Sequence, residues 1–174
     1  NKGLDAYKAY DYATALQEFK PLAEQGDASA QINLGLMYSR GEGVLKDATE
    51  AVKWYQMSAE QGHARAQYSL GMMYRFGNGV IKDNTEAVKW FQLSAEQGDA
   101  SAQTNLGFMH ETGNGVFQNN VIAHMWYNIA SANGYKESGI VRDKLAGLMT
   151  PDAIEKATAM AAECMSNAYK KCGY

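Results

Sequence analysis

The sequence predicts an all-α fold, a solenoid of helix-turn-helix repeats, and three observations carry that prediction. Residues 49–62 read TEAVKWYQMSAEQG and residues 85–98 read TEAVKWFQLSAEQG, so nearly the same segment recurs after 36 positions. The same interval separates Gly26, Gly62, Gly98 and Gly134. Apolar and small residues recur at helical spacing, and no useful length of chain alternates with a period of two. A repeat of 20–50 residues is typical of a solenoid.

The composition argues against nucleic-acid binding and against membrane insertion. The 174 residues include 46% hydrophobic and 20% charged residues, with a net charge of −3 and basic residues scattered along the chain. Because phosphate neutralisation needs a basic stripe, we expect no nucleic-acid binding. No apolar run approaches the ~20 residues that span a bilayer, so we expect no membrane insertion. The chain begins with Asn1 rather than Met, and we expect a mature or trimmed product that lacks any signal peptide.

One domain, residues 1–174, is predicted, with caps at both ends. Residues 1–26 form a short helix pair, about Leu4–Tyr10 and Tyr12–Glu24, and residues 135–174 form the C-terminal capping helices. The repeats are residues 27–62, 63–98 and 99–134. Their first helices are predicted at Ala28–Arg40, Ala64–Phe76 and Ala100–Thr112. Their second helices are predicted at about Thr49–Gln61, Thr85–Gln97 and Val121–Asn133.

Local signals mark where these helices begin and end. Asp47 and Glu50 have the spacing of a capping box, as do Asp83 and Glu86, so each Asp is expected to cap a helix and each Glu to reach back. The third repeat keeps only Asn119 as a cap. Glycine-rich G-x-G turns join the paired helices, where positive φ is needed. In the tail, a helix is predicted from Tyr135 to about Leu148. Thr150 and Pro151 then start another helix as its N-cap and N1 residues.

The repeat resembles a known family. The segment AQINLGLMYSRGEGVLKDATEAVKWYQMSAEQG and its copy from Ala66 combine A-Q-x-x-L-G, G-x-G-V and D-x-x-E-A-V-x-W in fixed order. The copy from Ala102 keeps the first two motifs and the tryptophan, and it has Asn119 and Ile122 in place of the Asp and the Glu. They are similar to Sel-one-like repeats (SLR), relatives of the tetratricopeptide (TPR) repeat. The resemblance covers about Asp11 to Gly134. It implies a right-handed α/α superhelix that acts as an adaptor or scaffold. Some cysteine-rich relatives are linked to β-lactam binding or hydrolysis, but their cysteine pairs recur in each repeat and are missing here.

Differences among the three copies separate stacking positions from candidate binding positions. Positions fixed in all copies, such as Gly35 and Trp54 with their equivalents, are expected to pack the repeats together. Variable positions on the first helices share one face and are predicted to line the concave groove of the solenoid, where a protein or peptide binds. Part of this row could instead pack between repeats. The predicted groove residues are Ile32, Asn33, Leu36, Arg40, Arg65, Tyr68, Met72, Arg75, Phe76, Asn105, Phe108 and Glu111.

Residues with catalytic chemistry form no recognisable motif. His110 and His124 stand where the other copies have Tyr and Val, so both are expected to be partly buried repeat positions, and His63 is expected at a helix start. Cys164 and Cys172 would lie too far apart for a bond within one continuous helix. A fold-back after the last helix would permit a disulfide, and two free thiols or metal chemistry are the alternatives. A disulfide would place the chain in the periplasm or outside the cell.

These observations predict a non-enzymatic scaffold that binds a protein or peptide along the concave groove. No catalytic residue, metal or cofactor is predicted. Two alternatives stay open: a hydrolase or binding protein for cell-wall or β-lactam substrates, and a structural assembly subunit. We expect a monomer or a weak homodimer through the solenoid ends. The expected location is periplasmic or secreted, with the cytoplasm as the alternative.

Overall fold

The computed structural model describes residues 2–170 and residue 172, and within them every regular element is a helix. The predicted all-α class of tandem helix-turn-helix repeats is confirmed. The helices are α1 (Lys2–Lys8), α2 (Tyr12–Glu24), α3 (Ala28–Arg40), α4 (Ala48–Glu60), α5 (Ala64–Phe76), α6 (Asn84–Ala95), α7 (Ala100–Thr112), α8 (Asn120–Ala132), α9 (Lys136–Ala146) and α10 (Pro151–Ser166). The first helix of each repeat has the predicted bounds, and each second helix begins one residue earlier than predicted.

The chain forms two compact units, Asn1–Lys82 and Asp83–Tyr174. The division falls inside the second repeat, between its two helices. In the first unit, α1 to α5 pack in chain order, each against the next. The core of this unit combines Ala15 and Phe19 of α2 with Leu34 and Met37 of α3, and the partly buried Trp54 packs against it. Trp54 therefore packs as predicted.

In the second unit, α8 is the central helix. It packs against α7, α9 and α10, and α6 packs against α7. Because α8 has neighbours on several sides, it buries most of its length, including Trp126 and Tyr127. Tyr127 also belongs to a core cluster with Ala123 and Leu145.

The second helices have the predicted N-cap residues, but the Glu half of the predicted capping box does not form in the first repeat. The Asp47 side chain accepts from the backbone N–H groups of Thr49 at 2.9 Å and Glu50 at 3.1 Å, as expected of an N-cap. Glu50 does not complete the capping box: its carboxylate accepts from Lys53, and the Asp47 N–H donates to the Tyr38 carbonyl. The Glu position is therefore dispensable for capping, which explains why the third repeat keeps its helix start without it.

The mid-helix glycines permit close helix contact, as predicted. A Cβ added at Gly35 would lie 2.8 Å from the ring of Tyr55, and one added at Gly107 would lie 2.7 Å from the ring of Tyr127. Each aromatic ring of a second helix thus packs directly on the backbone of the first helix. The ~1 kcal/mol that Gly costs in a helix interior is offset by this contact.

A buried glutamine in each repeat joins consecutive helices. Gln31, Gln67 and Gln103 donate from Nε2 to the carbonyls of Ala23, Ala59 and Ala95 at 3.1, 3.2 and 3.1 Å. Each of these carbonyls lies in the last turn of a helix and also accepts the backbone N–H of the glycine that follows that helix. The glutamine of the A-Q pair therefore adds a second donor and links its own helix to the end of the preceding one, a role that the sequence pattern did not reveal.

Candidate functional site

Four of the predicted groove residues meet in the first unit. Ile32, Asn33 and Leu36 of α3 and Arg65 of α5 line one pocket of about 30 Å³, together with Tyr55 and Ser69. This volume holds one or two water molecules rather than a ligand. The contact shows that α3 and α5 approach each other on the face that the sequence comparison singled out.

The α3 side chains of this pocket are too buried, or too engaged within their own helix, to present a surface for a partner. Ile32 is only 6% exposed, so it forms the floor between the helices and the packing alternative describes it better. Asn33 donates from Nδ2 to the Ser29 carbonyl at 2.7 Å, within its own helix. Leu36 is half-buried. Of the pocket residues predicted from the sequence, only Arg65 is exposed.

The α5 residues form a more accessible ridge. Tyr68, Met72 and Phe76 follow one another at four-residue spacing and therefore lie on one face of the helix. Tyr68 and Met72 are half-buried, and Phe76 is 55% exposed. The Arg75 guanidinium carbon lies 5.1 Å from the Phe76 ring centroid, within the range of a cation–π contact. We name Arg65, Tyr68, Met72, Arg75 and Phe76 the α5 ridge.

Arg40 is engaged by a cluster that the sequence analysis missed. Its guanidinium lies 3.7 Å from the Glu42 carboxylate and donates to the Tyr7 hydroxyl at 3.3 Å. The Tyr7 hydroxyl donates to Glu42, and the Tyr12 hydroxyl approaches the same carboxylate at 3.5 Å. Burial, and then the hydrogen bond to Glu42, raise the pKa of Tyr7 to about 12. Arg40 therefore ties the N-terminal cap to the first G-x-G turn.

In the second unit, the C-terminal cap covers part of the predicted surface. Phe108 packs against the core cluster that Ala123 and Tyr127 of α8 form with Leu145 of α9. Thr104, the counterpart of Ile32 and Tyr68, lies 2.6 Å from the hydroxyl of Ser138 on α9. Phe108 is thus a cap-packing residue in this structure. No signal in the repeats could reveal this, because α9 lies outside them.

The two polar residues predicted in the third repeat also have local partners. Glu111 accepts from the Tyr127 hydroxyl at 2.7 Å, and Asn105 donates from Nδ2 to the Ser101 carbonyl at 2.8 Å. Both side chains therefore stabilise the unit in which they lie. Of the predicted groove residues, those of the α5 ridge are left with the strongest case for partner contact.

The histidines occupy different environments. His63 is half-buried at the start of α5 and makes no cap hydrogen bond. His124 is 3% exposed, and burial and then the charge of Arg142 lower its pKa, with Asp143 opposing. Burial lowers the pKa of His110 as well, against a hydrogen bond with the backbone of Phe117. In the described part of the chain, no group of three or more His, Cys, Asp or Glu is placed to hold a metal ion.

A larger concavity lies at the loop end of the third repeat. It measures about 750 Å³ and is lined by His110, Gly113, Gly115, Val116, Phe117, Asn119 and Ile122. Its size is that of pockets that accept organic ligands or apolar side chains. The sequence did contain a signal for it: His110, Phe117, Asn119 and Ile122 each differ from the residues that both other repeats have at those positions.

The cysteines are joined. Cys164 and Cys172 form a disulfide with their Cα atoms 5.2 Å apart. α10 ends at Ser166, and Ala168 and Tyr169 adopt positive φ values of 51° and 65°, which turn the chain back toward the helix. Among the described helices, none is both long and apolar enough to cross a membrane.

Tandem helix pairs with a 36-residue period define a helical-repeat protein. Its candidate site is a surface of apolar and arginine side chains. More particularly, the chain belongs to the Sel1 repeat family, because the family model matches residues 28–63, 64–99 and 100–135. Sel1 repeats commonly serve as protein-interaction scaffolds and are typically non-catalytic. A search of curated proteins finds no match.

Two solved structures are similar to this chain. One is a Sel1 repeat protein from Oxalobacter formigenes, 37% identical, with a TM-score of 0.75 over 79% of this chain and 56% of that one. The other is a protective antigen present in uropathogenic Escherichia coli strains, which displays an SLR fold. It is 32% identical, with a TM-score of 0.82 over 90% of this chain and 34% of that one. The chain therefore spans about half and about a third of the length of these relatives.

Proposed function

We propose that this chain is a non-enzymatic scaffold that binds a protein or peptide segment along the α5 ridge of the first unit. The observation that carries the proposal is the ridge itself: Tyr68, Met72 and Phe76 line one helix face, half-buried or exposed, with Arg65 and Arg75 beside them. Aromatic, methionine and arginine side chains are enriched where proteins bind one another. Membership in a family of interaction scaffolds supports the same role.

The mechanism is recognition without a chemical step. Apolar side chains of the partner lie against Tyr68, Met72 and Phe76, which supply most of the buried area. Arg65 is exposed and orients a carboxylate of the partner. The preferred ligand is therefore a segment with apolar residues one helical turn apart and an acidic residue next to them.

The test compares a ridge variant with a matched control. The ridge variant carries Tyr68→Ala, Met72→Ala and Phe76→Ala. The control carries Met57→Ala and Leu93→Ala, which remove exposed apolar side chains from second helices. Proteins captured from host extract by the wild type are identified, and the binding of each purified candidate to all three chains is measured by calorimetry.

We expect at least about a tenfold loss of affinity for the ridge variant and little change for the control. Circular dichroism verifies that both variants are folded. A partner that binds the ridge variant and the wild type equally would place the interaction on another face and refute the proposal.

We also propose that the chain works in an oxidising compartment, the periplasm or the cell exterior. The disulfide between Cys164 and Cys172 supports this, because such bonds persist where thiols are not kept reduced. Alkylation of thiols in intact cells, followed by mass spectrometry, tests it. Recovery of both cysteines as free thiols would contradict the proposal.

A further inference from the structure

His124 places a titratable ring in the contact between α8 and the C-terminal cap. The other repeats have Val52 and Val88 at this position, and the His124 side chain is only 3% exposed. Burial lowers the pKa of His124, the charge of Arg142 on α9 lowers it further, and Asp143 of α9 opposes both. Among the described residues of α7 and α10, which also pack on α8, no charged side chain contributes to this shift.

Protonation of His124 is unfavourable in the folded chain for two reasons. Both ring nitrogens of an imidazolium are donors, and no described residue pairs with the buried Nδ1, so one N–H would stay unsatisfied. The Arg142 guanidinium donates to Asn128 Oδ1 at 2.7 Å, one turn farther along α8, so a cation already lies on this side of the helix. Asp143 accepts from the same guanidinium, but its side chain is 68% exposed and its effect on His124 is smaller than that of Arg142.

α9 lies between two glycines and lacks a side-chain cap at its start. It has 11 residues, and its N-cap residue Tyr135 makes no side-chain cap hydrogen bond. Gly134 precedes it with a φ of 96°, and Gly147 follows it. α10, in contrast, has its own packing on α8 and the hydrogen bond from Tyr169 to Asn133. These features permit α9 to separate from α8 while α10 stays in place.

α9 covers the third-repeat counterparts of two residues of the α5 ridge. Thr104 and Phe108 follow Tyr68 and Met72 by one repeat period. The Thr104 hydroxyl lies 2.6 Å from the hydroxyl of Ser138 on α9, and Phe108 packs against the core cluster that α8 forms with α9. Separation of α9 from α8 would therefore uncover both side chains of α7.

We propose that the C-terminal cap is an acid-sensitive switch, in which protonation of His124 separates α9 from α8 and uncovers Thr104 and Phe108. As the pH falls below the ordinary pKa of histidine, the open state binds a proton that the closed state binds poorly, so the population of the open state rises. The rise is at most about tenfold per pH unit. The switch requires no partner at the α5 ridge, so the two proposals succeed or fail separately.

The test is amide hydrogen exchange of the full chain, with the disulfide intact, at about pH 7.5 and about pH 5, on either side of the ordinary histidine pKa. Labelling times are scaled for the intrinsic pH dependence of amide exchange, and peptides are analysed by mass spectrometry. The wild type is compared with His124→Val, which restores the residue of the other two repeats. The control His110→Tyr also restores a repeat residue, and it removes the histidine of the loop-end concavity.

In the wild type, peptides from α9 should exchange at least about fivefold faster at the lower pH, and peptides from α2 in the first unit should change little. His124→Val should abolish this acceleration, and His110→Tyr should retain it. Equal protection of α9 at both pH values would overturn the proposal. An acceleration that survives in His124→Val, disappears in His110→Tyr or extends equally to α2 would also overturn it.

Hydroxyl-radical footprinting at the same two pH values tests whether α7 is uncovered. Oxidation of Phe108 should increase at the lower pH in the wild type and stay low in His124→Val. Phe91 is fully buried on α6 and Phe117 is 96% exposed, so they provide the protected and accessible references. Faster exchange in α9 without increased oxidation of Phe108 would refute the uncovering of α7.

Discussion

Gly107 shows how a single missing methyl group sets the distance between two helices. It lies in the middle of α7, and the ring of Tyr127 on α8 packs against its backbone. The Tyr127 hydroxyl then reaches Glu111, one turn farther along α7. The same relation occurs in the first repeat between Gly35 and Tyr55, so the contact recurs in the first and third repeats.

Gly107→Ala is expected to destabilise the chain by about 1–3 kcal/mol, because the new Cβ would lie 2.7 Å from the Tyr127 ring. An alanine in an uncrowded helix would instead stabilise it by about 1 kcal/mol. Urea unfolding measures the change. In a Tyr127→Leu background the penalty should shrink, and equal penalties in both backgrounds would contradict the proposed contact.

His124 places a titratable ring where the other repeats have valine. It is buried on α8, and its pKa is lowered by burial first and by the Arg142 charge second. The unfolded chain therefore binds a proton at higher pH than the folded chain does. The contribution of the neutral His124 side chain to stability is at its full value above the pKa of the unfolded chain, about 6.5. It decreases as the pH falls from there toward the lower pKa of the folded chain.

His124→Val should flatten the pH dependence of stability. Between about pH 7.5 and pH 5, the wild type should lose stability, with His124 contributing at most about 1.4 kcal/mol per pH unit. His110 shares the direction and leaves part of the slope in the variant. Urea midpoints at the two pH values provide the measurement. Identical slopes in both chains would show that His124 does not titrate on unfolding.

At the level of elements, the end of α10 is held by a chain of side-chain contacts. The Tyr169 hydroxyl donates to Asn133 Oδ1 at 2.8 Å, and Asn133 Nδ2 donates to Gln103 Oε1 at 2.9 Å. Gln103 in turn donates to the Ala95 carbonyl. The series links the ends of α10, α8 and α6 through α7. The disulfide holds the left-handed turn that places Tyr169.

Replacing both cysteines by serine should lower the free energy of unfolding by about 2–3 kcal/mol, from the loop entropy of the eight-residue separation. Tyr169→Phe should lower the free energy of unfolding by about 1 kcal/mol, for the loss of one hydrogen bond, and urea unfolding measures this change.

Thermal denaturation with and without reductant measures the effect of the disulfide. Reductant should lower the wild-type melting temperature and leave the cysteine-free chain unchanged. A wild type insensitive to complete reduction would refute a stabilising role.

At the scale of the whole molecule, the repeat architecture makes stability a sum of local terms. In such proteins each repeat contacts only its neighbours, so a defect is felt mainly near its own position. The observed packing within each unit follows this rule, since helices contact the next helix in the chain and the cap contacts α8.

Gly107→Ala should therefore increase hydrogen exchange unevenly. Peptides from α7 and α8 should exchange at least several-fold faster, and peptides from α2 should change little. Mass spectrometry of exchanged peptides gives the readout. An equal acceleration of all peptides would indicate one cooperative unit and contradict the local picture.

The sequence by itself determined the repeat period, the bounds of the first helices, the glycine turns and the family. These features depend on periodicity and on residues close in the chain, which act locally through hydrogen bonds and backbone conformation. Comparison of the three copies also placed the residues of the α5 ridge within a larger predicted groove and singled out the mid-helix glycines. The same comparison shows that Asn119 and Ile122 differ from their equivalents in the other repeats, but only the structure shows that both line one concavity.

Only the tertiary structure decided which variable positions remain available to a partner. Arg40 contacts Tyr7 and Glu42, and Phe108 packs against a core cluster that includes Leu145 of α9, which follows the repeats. Tyr7 and Leu145 belong to the caps, which do not follow the repeat pattern. Burial and pairing depend on side chains 16 to 35 positions apart in sequence, as for Tyr127 with Glu111 and Tyr7 with Glu42. Periodicity assigns a residue to a helix face, whereas the elements packed on that face decide its exposure.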